Sequence, residues 1–212
     1  MPSPLRVDVF NTGYKPIPSA VPVWPDGWQA TWPATTASLV SGDRDAILVD
    51  SLVTKDESKD LADWLLATRK NPTQIYITHG HADHFFGLNT VLETFPDAKP
   101  VALAEIVPFV EEQTMPDWMQ IWEGIFPDQL FEKPAVPVAL EQSEMCVEGH
   151  TLVPIKLGQS DVSHSSAVYI PELDTLIAGD LIYNNIHVWT FQSNHDRRMA
   201  WIETLGEIEK LH

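Results

Sequence analysis

One short stretch of the chain is dense in metal-binding side chains and reads Thr78-His79-Gly80-His81-Ala82-Asp83-His84. It follows a run of β-forming residues, Gln74–Thr78, and precedes a helix-like segment, Phe85–Phe95. Residues two apart in extended backbone point to the same side, so His79 and His81 can converge on one metal ion. The stretch therefore predicts a metal site at the end of a strand.

The same stretch can serve a second metal position. If the chain bends into the helix that starts near Phe85, Asp83 and His84 can face a neighbouring position, and two ions would lie roughly 3.5–4 Å apart, as in two-metal hydrolytic sites. Imidazole and carboxylate ligands together suit zinc or a similar divalent ion. The alternative is a polar loop whose histidines only form hydrogen bonds, but such a dense group of candidate ligands favours a metal.

Strand and helix patterns flank this stretch on its amino-terminal side. Two apolar runs, Ala37–Val40 and Ala46–Val49, surround a turn and predict a hairpin. Thr54 and Glu57 form a capping box ahead of a helix of about 14 residues, which Asn71-Pro72 is expected to end. Further upstream, the alternating apolar residues Leu5, Val7 and Val9 predict a strand. A proline-rich arm follows, and its tryptophans, Trp24, Trp28 and Trp32, are expected to hold it on the domain.

The second half of the chain returns to strands after an apolar, helix-like region at residues 104–131. Short β-type runs predict five strands: Val136–Leu140, Glu144–Val147, Thr151–Ile155, Ala167–Ile170 and Thr175–Ala178. A final helix is predicted from an Asp196 cap, with four residues facing inward: Ile202, Leu205, Ile208 and Leu211.

Composition limits the kind of partner that the protein can have. The chain has 212 residues, and 13 Lys and Arg against 30 Asp and Glu give a net charge of −17. Such an acidic surface repels phosphate backbones and anionic membranes, which excludes nucleic-acid and membrane binding and favours a small-molecule substrate. Self-association into a homodimer stays open. The single cysteine, Cys146, and the lack of a signal-peptide or membrane-spanning run predict a cytoplasmic protein.

The His-x-His-x-Asp-His pattern after a strand resembles the metallo-β-lactamase superfamily, and the resemblance extends from the hairpin at residues 37–50 to the last helix. Ala178-Gly179-Asp180 is similar to the later motif that carries the metal-bridging aspartate in that family. The resemblance implies an α/β fold, a four-layer αβ/βα sandwich of two mixed β-sheets flanked by helices. It also implies that the metals lie at one edge of the two sheets.

The sequence departs from the family pattern in two places. Gln159 stands where the family usually supplies another histidine to the first metal, and we expect His164 from the same loop to replace it, with Asp161 as the alternative. Family members also continue beyond the last helix into a strand and a Gly-His ligand. This chain stops at Leu211-His212, so the resemblance implies a single domain over 1–212 that lacks its last strand and carboxyl-terminal ligand. A truncated sequence, a ligand from another chain and a weak second site are all open explanations.

Three residues near the predicted site have alternative interpretations. Tyr183 can donate a hydrogen bond to a developing oxyanion or serve as a buried structural tyrosine. His187 follows Asp180 closely enough to contact substrate or a ligand, whereas His195 is explained by capping of the last helix.

These features predict a metal-dependent hydrolase in which metal-activated hydroxide attacks a carbonyl substrate: a lactone, ester, thioester or β-lactam. The expected ligands are His79, His81, Asp83, His84, His164 and Asp180. Asp83 is also expected to orient the nucleophile or to accept its proton. The cofactor is expected to be one or two Zn²⁺ ions, with iron or manganese as alternatives. An iron-containing redox protein of the same fold and a catalytically impaired metal-binding protein are the competing functions.

Overall fold

A computed structural model of the chain describes residues 4–17 and 30–211. The expectations for Trp24, Trp28 and His212 fall outside these described residues. Within the described ranges, no helix is both long and apolar enough to cross a membrane.

The described chain alternates short strands and helices. The strands are β1 (Arg6–Asn11), β2 (Lys15–Pro16), β3 (Thr31–Trp32), β4 (Thr36–Ser41), β5 (Asp45–Val49), β6 (Asn71–Tyr76), β7 (Lys99–Ala102), β8 (Val138–Ala139), β9 (Met145–Val147), β10 (His150–Lys156), β11 (Ser166–Ile170) and β12 (Thr175–Ile177). The helices are α1 (Lys55–Thr68), α2 (Ala82–Phe85), α3 (Leu88–Thr94), α4 (Val107–Gln113), α5 (Pro116–Ile125) and α6 (His195–Ile208).

Two sheets form the centre of the molecule. The first has the order β1-β4-β5-β6-β7-β8, with antiparallel pairs up to β5 and parallel pairs from β5 onward. The second has the order β12-β11-β10-β9, and its described pairs are antiparallel. A short ladder between β2 and β3 stands apart from both sheets.

Alternation along β5 shows how the layers pack. Ala46 and Leu48 are buried against α1 and α3, whereas Ile47 and Val49 point to the opposite face and pack on residues of the second sheet. On the far side of the second sheet, Trp201 of α6 packs against Leu157. The order helices, sheet, sheet, helix confirms the four-layer α/β sandwich.

Two local predictions near the amino terminus, the hairpin and the capped start of α1, are confirmed. β4 and β5 form the predicted hairpin, and Thr54 and Glu57 make the predicted reciprocal capping hydrogen bonds. The helix ends at Thr68 because Arg69 adopts a left-handed conformation with φ 59°. Asn71 and Pro72, predicted to terminate the helix, instead begin β6 and pair with β5.

The predicted helix at residues 85–95 is divided into α2 and α3 around Gly87. A Cβ atom on Gly87 would lie 1.8 Å from the carbonyl oxygen of Ser51, so only glycine fits this close backbone approach. The approach holds α2, which carries Asp83 and His84 of the histidine motif, against the loop that follows β5.

The inward face of the last helix agrees with the prediction in part, since Leu205 and Ile208 pack against the core whereas Ile202 and Leu211 are exposed. Asn194, rather than Asp196, caps α6 by accepting a hydrogen bond from the Arg197 amide. Trp201 and Thr204 are buried, whereas Ile202 is 59% exposed. The reason is that the Trp201 indole packs on the second sheet and donates to the Leu181 carbonyl at 3.0 Å, which fixes the rotation of the helix.

Candidate metal centre

The histidine motif lies where several strands end at the same edge of the sandwich. Because β5 and β6 are parallel neighbours, their carboxyl ends bring Asp50 next to Thr78. The second sheet is joined to this edge at two points. Ser166 donates hydrogen bonds from its amide and its hydroxyl to the Thr78 carbonyl, and His79 forms an isolated antiparallel bridge with Ser165. These contacts bring the loop at residues 158–165 onto the motif.

One group of candidate ligands consists of His79, His81 and Asp161. His79 Nε2 lies 3.2 Å from His81 Nδ1, and Asp161 Oδ2 lies 2.8 Å from His81 Nδ1 and 3.6 Å from His79 Nε2. His79 and Asp161 are completely buried. Two imidazole nitrogens and one carboxylate oxygen therefore converge in the interior.

A second group shares His79 with the first and adds His84 and Asp180. His84 Nε2 lies 3.2 Å from Asp180 Oδ1, and the His79 and His84 ring centroids are 4.0 Å apart. Asp180 lies three residues after the end of β12, in the 3-10 turn Gly179–Leu181, close to the strand end where a carboxylate was predicted. The two groups are thus adjacent and connected through His79.

The charge in the first group fits a divalent cation. Asp161 Oδ2 is buried without a regular hydrogen bond from the described residues, and the polar atoms nearest to it are the ring nitrogens of His81 at 2.8 Å and of His79 at 3.6 Å. A buried carboxylate oxygen without a hydrogen bond is costly unless a cation compensates it. Nitrogen and carboxylate donors of this kind suit zinc, iron and manganese.

Each of the three histidines uses its other ring nitrogen for an outer hydrogen bond. His84 Nδ1 donates to Asp50 Oδ2 at 2.8 Å, and His81 Nε2 donates to Gln192 Oε1 at 2.5 Å. Thr78 Oγ1 donates its only proton to Asp50, so it accepts from His79 Nδ1 at 3.1 Å. These bonds leave His79 Nε2, His81 Nδ1 and His84 Nε2 facing the carboxylates, which is the tautomer arrangement that metal ligation needs.

Asp50 connects two of these hydrogen bonds. Its carboxylate is buried and accepts from the amide and the hydroxyl of Thr78 at 2.9 Å and 2.8 Å, as well as from His84 Nδ1. Asp50 therefore orients His84 directly and His79 through Thr78.

The ionisation of the site reflects its dense charge. Burial lowers the pKa of His79, together with the charge of His84. For His81, burial acts against protonation, but the Asp161 carboxylate outweighs it and raises the pKa to about 9. Burial likewise opposes protonation of His84, yet Asp180 and then Asp50 raise its pKa well above the usual value. In the absence of a metal, protons on these two rings therefore balance part of the carboxylate charge.

The carboxylates respond in the opposite direction. Burial acts to raise the pKa of Asp180, but the charge of His84 overrides it and holds that pKa far below the usual range. The pKa of Asp161 is lowered in the same way, against burial, by His79 and His81. Tyr183 donates to Asp180 Oδ2 at 2.6 Å, and burial, followed by the charge of Asp180, raises the pKa of its phenol. Tyr183 therefore stays protonated and serves as a donor.

The structure brings together four of the six predicted ligands: His79, His81, His84 and Asp180. Asp83 lies at the margin, with Oδ1 3.9 Å from His84 Nε2, and belongs to neither group. His187 and His195 also lie outside both groups.

The structure brings Asp161, and not His164, next to His79 and His81. The His164 ring stacks on Phe109 with centroids 3.9 Å apart, and its Nδ1 contacts the Ser163 hydroxyl. Asp161 turns inward because its Oδ1 accepts from Ser160 Oγ at 2.7 Å and from the Val162 amide at 2.9 Å, which leaves Oδ2 facing the histidines. The alternative that the sequence left open is thus the one that the geometry supports.

Sequence reasoning missed Asp50 and Gln192. Asp50 carried a usable signal, since it follows the apolar strand β5 just as Asp180 follows β12. Gln192 carried none, because it lies in an irregular segment and reaches His81 only through the tertiary fold.

A groove of about 480 Å³ opens beside the second group. Asp50, Asp83, His84 and Asp180 line one end of it, and residues of β1 and of the segment at 175–186 line its walls. A substrate entering this groove would reach the face of the cluster that carries Asp83.

Comparisons with known proteins agree with this architecture. The family model described as the metallo-beta-lactamase superfamily matches residues 30–212. A search of curated proteins found no match.

Several solved structures have a similar fold. A metallo-beta-lactamase from Pontibacter korlensis has a TM-score of 0.67 at 17% identity, with 96% of this chain and 86% of that chain covered. One from Hirschia baltica has a TM-score of 0.65 at 16% identity, with 95% and 81% covered. A third, from Pseudomonas aeruginosa in the mono-zinc form, has a TM-score of 0.62 at 13% identity, with 98% and 81% covered. Similarity at these identities establishes the shared fold.

Proposed function

Because the chain belongs to the metallo-β-lactamase superfamily, we propose that it is a metal-dependent hydrolase that cleaves a carbonyl substrate. The observation that carries this proposal is the pair of adjacent ligand groups that share His79. The buried Asp161 Oδ2 supports it further, since two imidazole nitrogens and this carboxylate oxygen converge in the interior, as the ligands of a divalent ion do.

The chemistry follows from what a divalent ion and the surrounding residues can each supply. A divalent ion held there would polarise a carbonyl and lower the pKa of bound water to about 7. We assign to Asp83, which lines the groove with its Oδ1 3.9 Å from His84 Nε2, the role of accepting a proton from the attacking water. The protonated Tyr183 phenol donates to Asp180 and keeps that carboxylate oriented. Asp50 and Gln192 hold the histidine rings in their ligating orientation.

Zinc is our first candidate for the metal. Two-histidine, one-carboxylate sets occur in catalytic zinc sites, and one structural neighbour is described in the mono-zinc form. The same donor set also suits non-haem iron, so an iron-containing redox protein is the second candidate function.

The proposed substrates are lactones, esters, thioesters and β-lactams. The net charge of −17 argues against phosphodiesters, which carry negative charge along their length. Elemental analysis of protein purified without chelators should find at least one zinc per chain, and a panel of these substrates with a phosphodiester should show metal-dependent cleavage of a carbonyl compound.

His84→Ala is expected to lower both metal content and turnover. The matched control is His195→Ala, since His195 is exposed and outside both ligand groups. Stoichiometric iron with no hydrolysis would favour the redox function. Bound metal without turnover on any substrate would indicate a metal-binding protein, and no metal above trace level would contradict the proposal.

A further inference from the structure

The groove beside the cluster has two apolar walls. Val7 and Val9 lie on one face of β1, because alternate residues of a strand point the same way. Ile182 and Ile186 line the opposite side, beyond Asp180. The groove is thus continuous with the site, and these aliphatic side chains share its lining with the polar residues Asn11, Thr35, Thr36, Ser38, Thr175 and Asn184.

Two of these aliphatic side chains are open to solvent. Val9 is 58% exposed and Ile182 is 53% exposed. Single exposed apolar residues are common on protein surfaces, but these two face a shared concave space of about 480 Å³. A volume of that size is within the range of small-molecule sites, which are mostly apolar with a few polar groups at one end.

Apart from the His84 ring, the acidic and basic side chains that line the groove are all carboxylates. Its lining includes the carboxylates of Asp50, Asp83 and Asp180, and none of the described lining residues is a lysine or an arginine. The nearest cation on β1, Arg6, alternates away from Val7 and Val9 and pairs with Asp8. An anionic group along the groove would therefore have no basic partner among these residues.

We propose that the groove between β1 and the segment at residues 177–186 binds an uncharged aliphatic acyl chain, whose carbonyl then lies at the metal cluster. The inference rests on the proposed function and narrows its substrate class. It predicts that acyl compounds with an apolar tail are better substrates than short acyl compounds and than compounds whose tail ends in a carboxylate.

The size of the expected effect follows from burial of methylene groups. Full burial of one methylene is worth about fourfold in affinity, converted from roughly 0.8 kcal/mol. For p-nitrophenyl esters from acetate to octanoate, kcat/KM should rise by about two- to fourfold per added methylene until the groove is filled. The p-nitrophenyl monoester of suberic acid has the same chain length as the octanoate but ends in a carboxylate, and it should react at least about tenfold more slowly.

Two substitutions test whether this groove causes the chain-length dependence. Val9→Asp and Ile182→Asp each add charge at an exposed position, and each should reduce the ratio of octanoate to acetate kcat/KM by about tenfold or more. The matched control is Val138→Asp on β8, since Val138 is 63% exposed and does not line the groove. Thermal melting of all three variants checks that the fold is retained.

A binding experiment separates this inference from the proposed function. Titration calorimetry of the purified protein with butan-1-ol and octan-1-ol should show tighter binding of octan-1-ol, and Val9→Asp should remove the difference. Ester hydrolysis with no dependence on chain length would overturn the groove assignment while the hydrolase proposal stands. If no ester is hydrolysed, the alcohol titrations decide, and equal affinity for the two alcohols would overturn it.

Discussion

Asp50 Oδ2 lies 2.8 Å from Nδ1 of His84, and this contact turns the opposite ring nitrogen toward Asp180. Removing such an outer hydrogen-bond partner typically weakens metal binding 10–100-fold, so we expect about that loss of zinc affinity in Asp50→Asn. Competition with a chromophoric chelator measures it.

Asp97→Asn is the control for this prediction, because Asp97 is exposed in the loop before β7. Equal zinc affinity in Asp50→Asn and in the parent protein would mean that the orientation of His84 is set by packing alone.

Gln192 gives a second prediction about ligand orientation. Its Oε1 accepts from His81 Nε2, and its own carbonyl accepts from the Arg197 guanidinium at 2.7 Å, which holds the loop before α6. Gln192→Leu removes the acceptor at similar size and should weaken zinc binding by about tenfold.

Gln192→Glu restores an acceptor oxygen and should recover zinc affinity, which a role limited to filling space would not explain. Affinities that are equal for Gln192→Leu and the parent protein would show that His81 does not depend on this hydrogen bond.

A third prediction concerns pH and the contact between the two sheets. Glu148 accepts hydrogen bonds from the amides of Asp43, Arg44 and Asp45 in the β4–β5 turn, and these bonds lower its pKa. A lowered carboxyl pKa contributes stability above the unfolded value near 4.5 that is lost as pH falls through the folded value.

Glu148→Gln should therefore have a lower melting temperature than the parent protein at pH 7, and the difference should shrink as pH falls below about 4.5. Glu144→Gln, exposed just before β9, is the control. If the melting temperatures of Glu148→Gln and the parent protein differed by the same amount at pH 7 and at pH 3, the ionised Glu148 carboxylate would not be the source of the added stability.

The sequence predicted those parts of the fold and site that depend on local pattern. The ligand motif, the hairpin and the capping box of α1 each depend on a few neighbouring residues, so the spacing of those residues in the sequence was enough to predict them. The predicted length of α1, about 14 residues, is confirmed, but the residue that ends it was not predicted, because Arg69 in the left-handed conformation terminates the helix before Asn71 and Pro72.

Features that depend on distant contacts were not predictable in this way. The rotation of α6 follows from where Trp201 meets the second sheet; periodicity correctly placed Leu205 and Ile208 inward but also placed the exposed Ile202 and Leu211 there. The choice between Asp161 and His164 depends on the bridge from His79 to Ser165, which joins residues far apart in sequence. Spacing could only leave both as candidates.

The last prediction tests that choice directly. Asp161→Ala should weaken zinc binding by more than about 100-fold, because loss of a ligand exceeds the effect of losing an outer hydrogen bond. His164→Ala should leave zinc affinity unchanged, since that ring stacks on Phe109 outside both groups. Asp161→His supplies the nitrogen donor that the family uses, and it should raise affinity for zinc relative to manganese, which prefers carboxylate oxygen. If His164→Ala loses the metal and Asp161→Ala keeps it, His164 rather than Asp161 is the metal ligand from this loop.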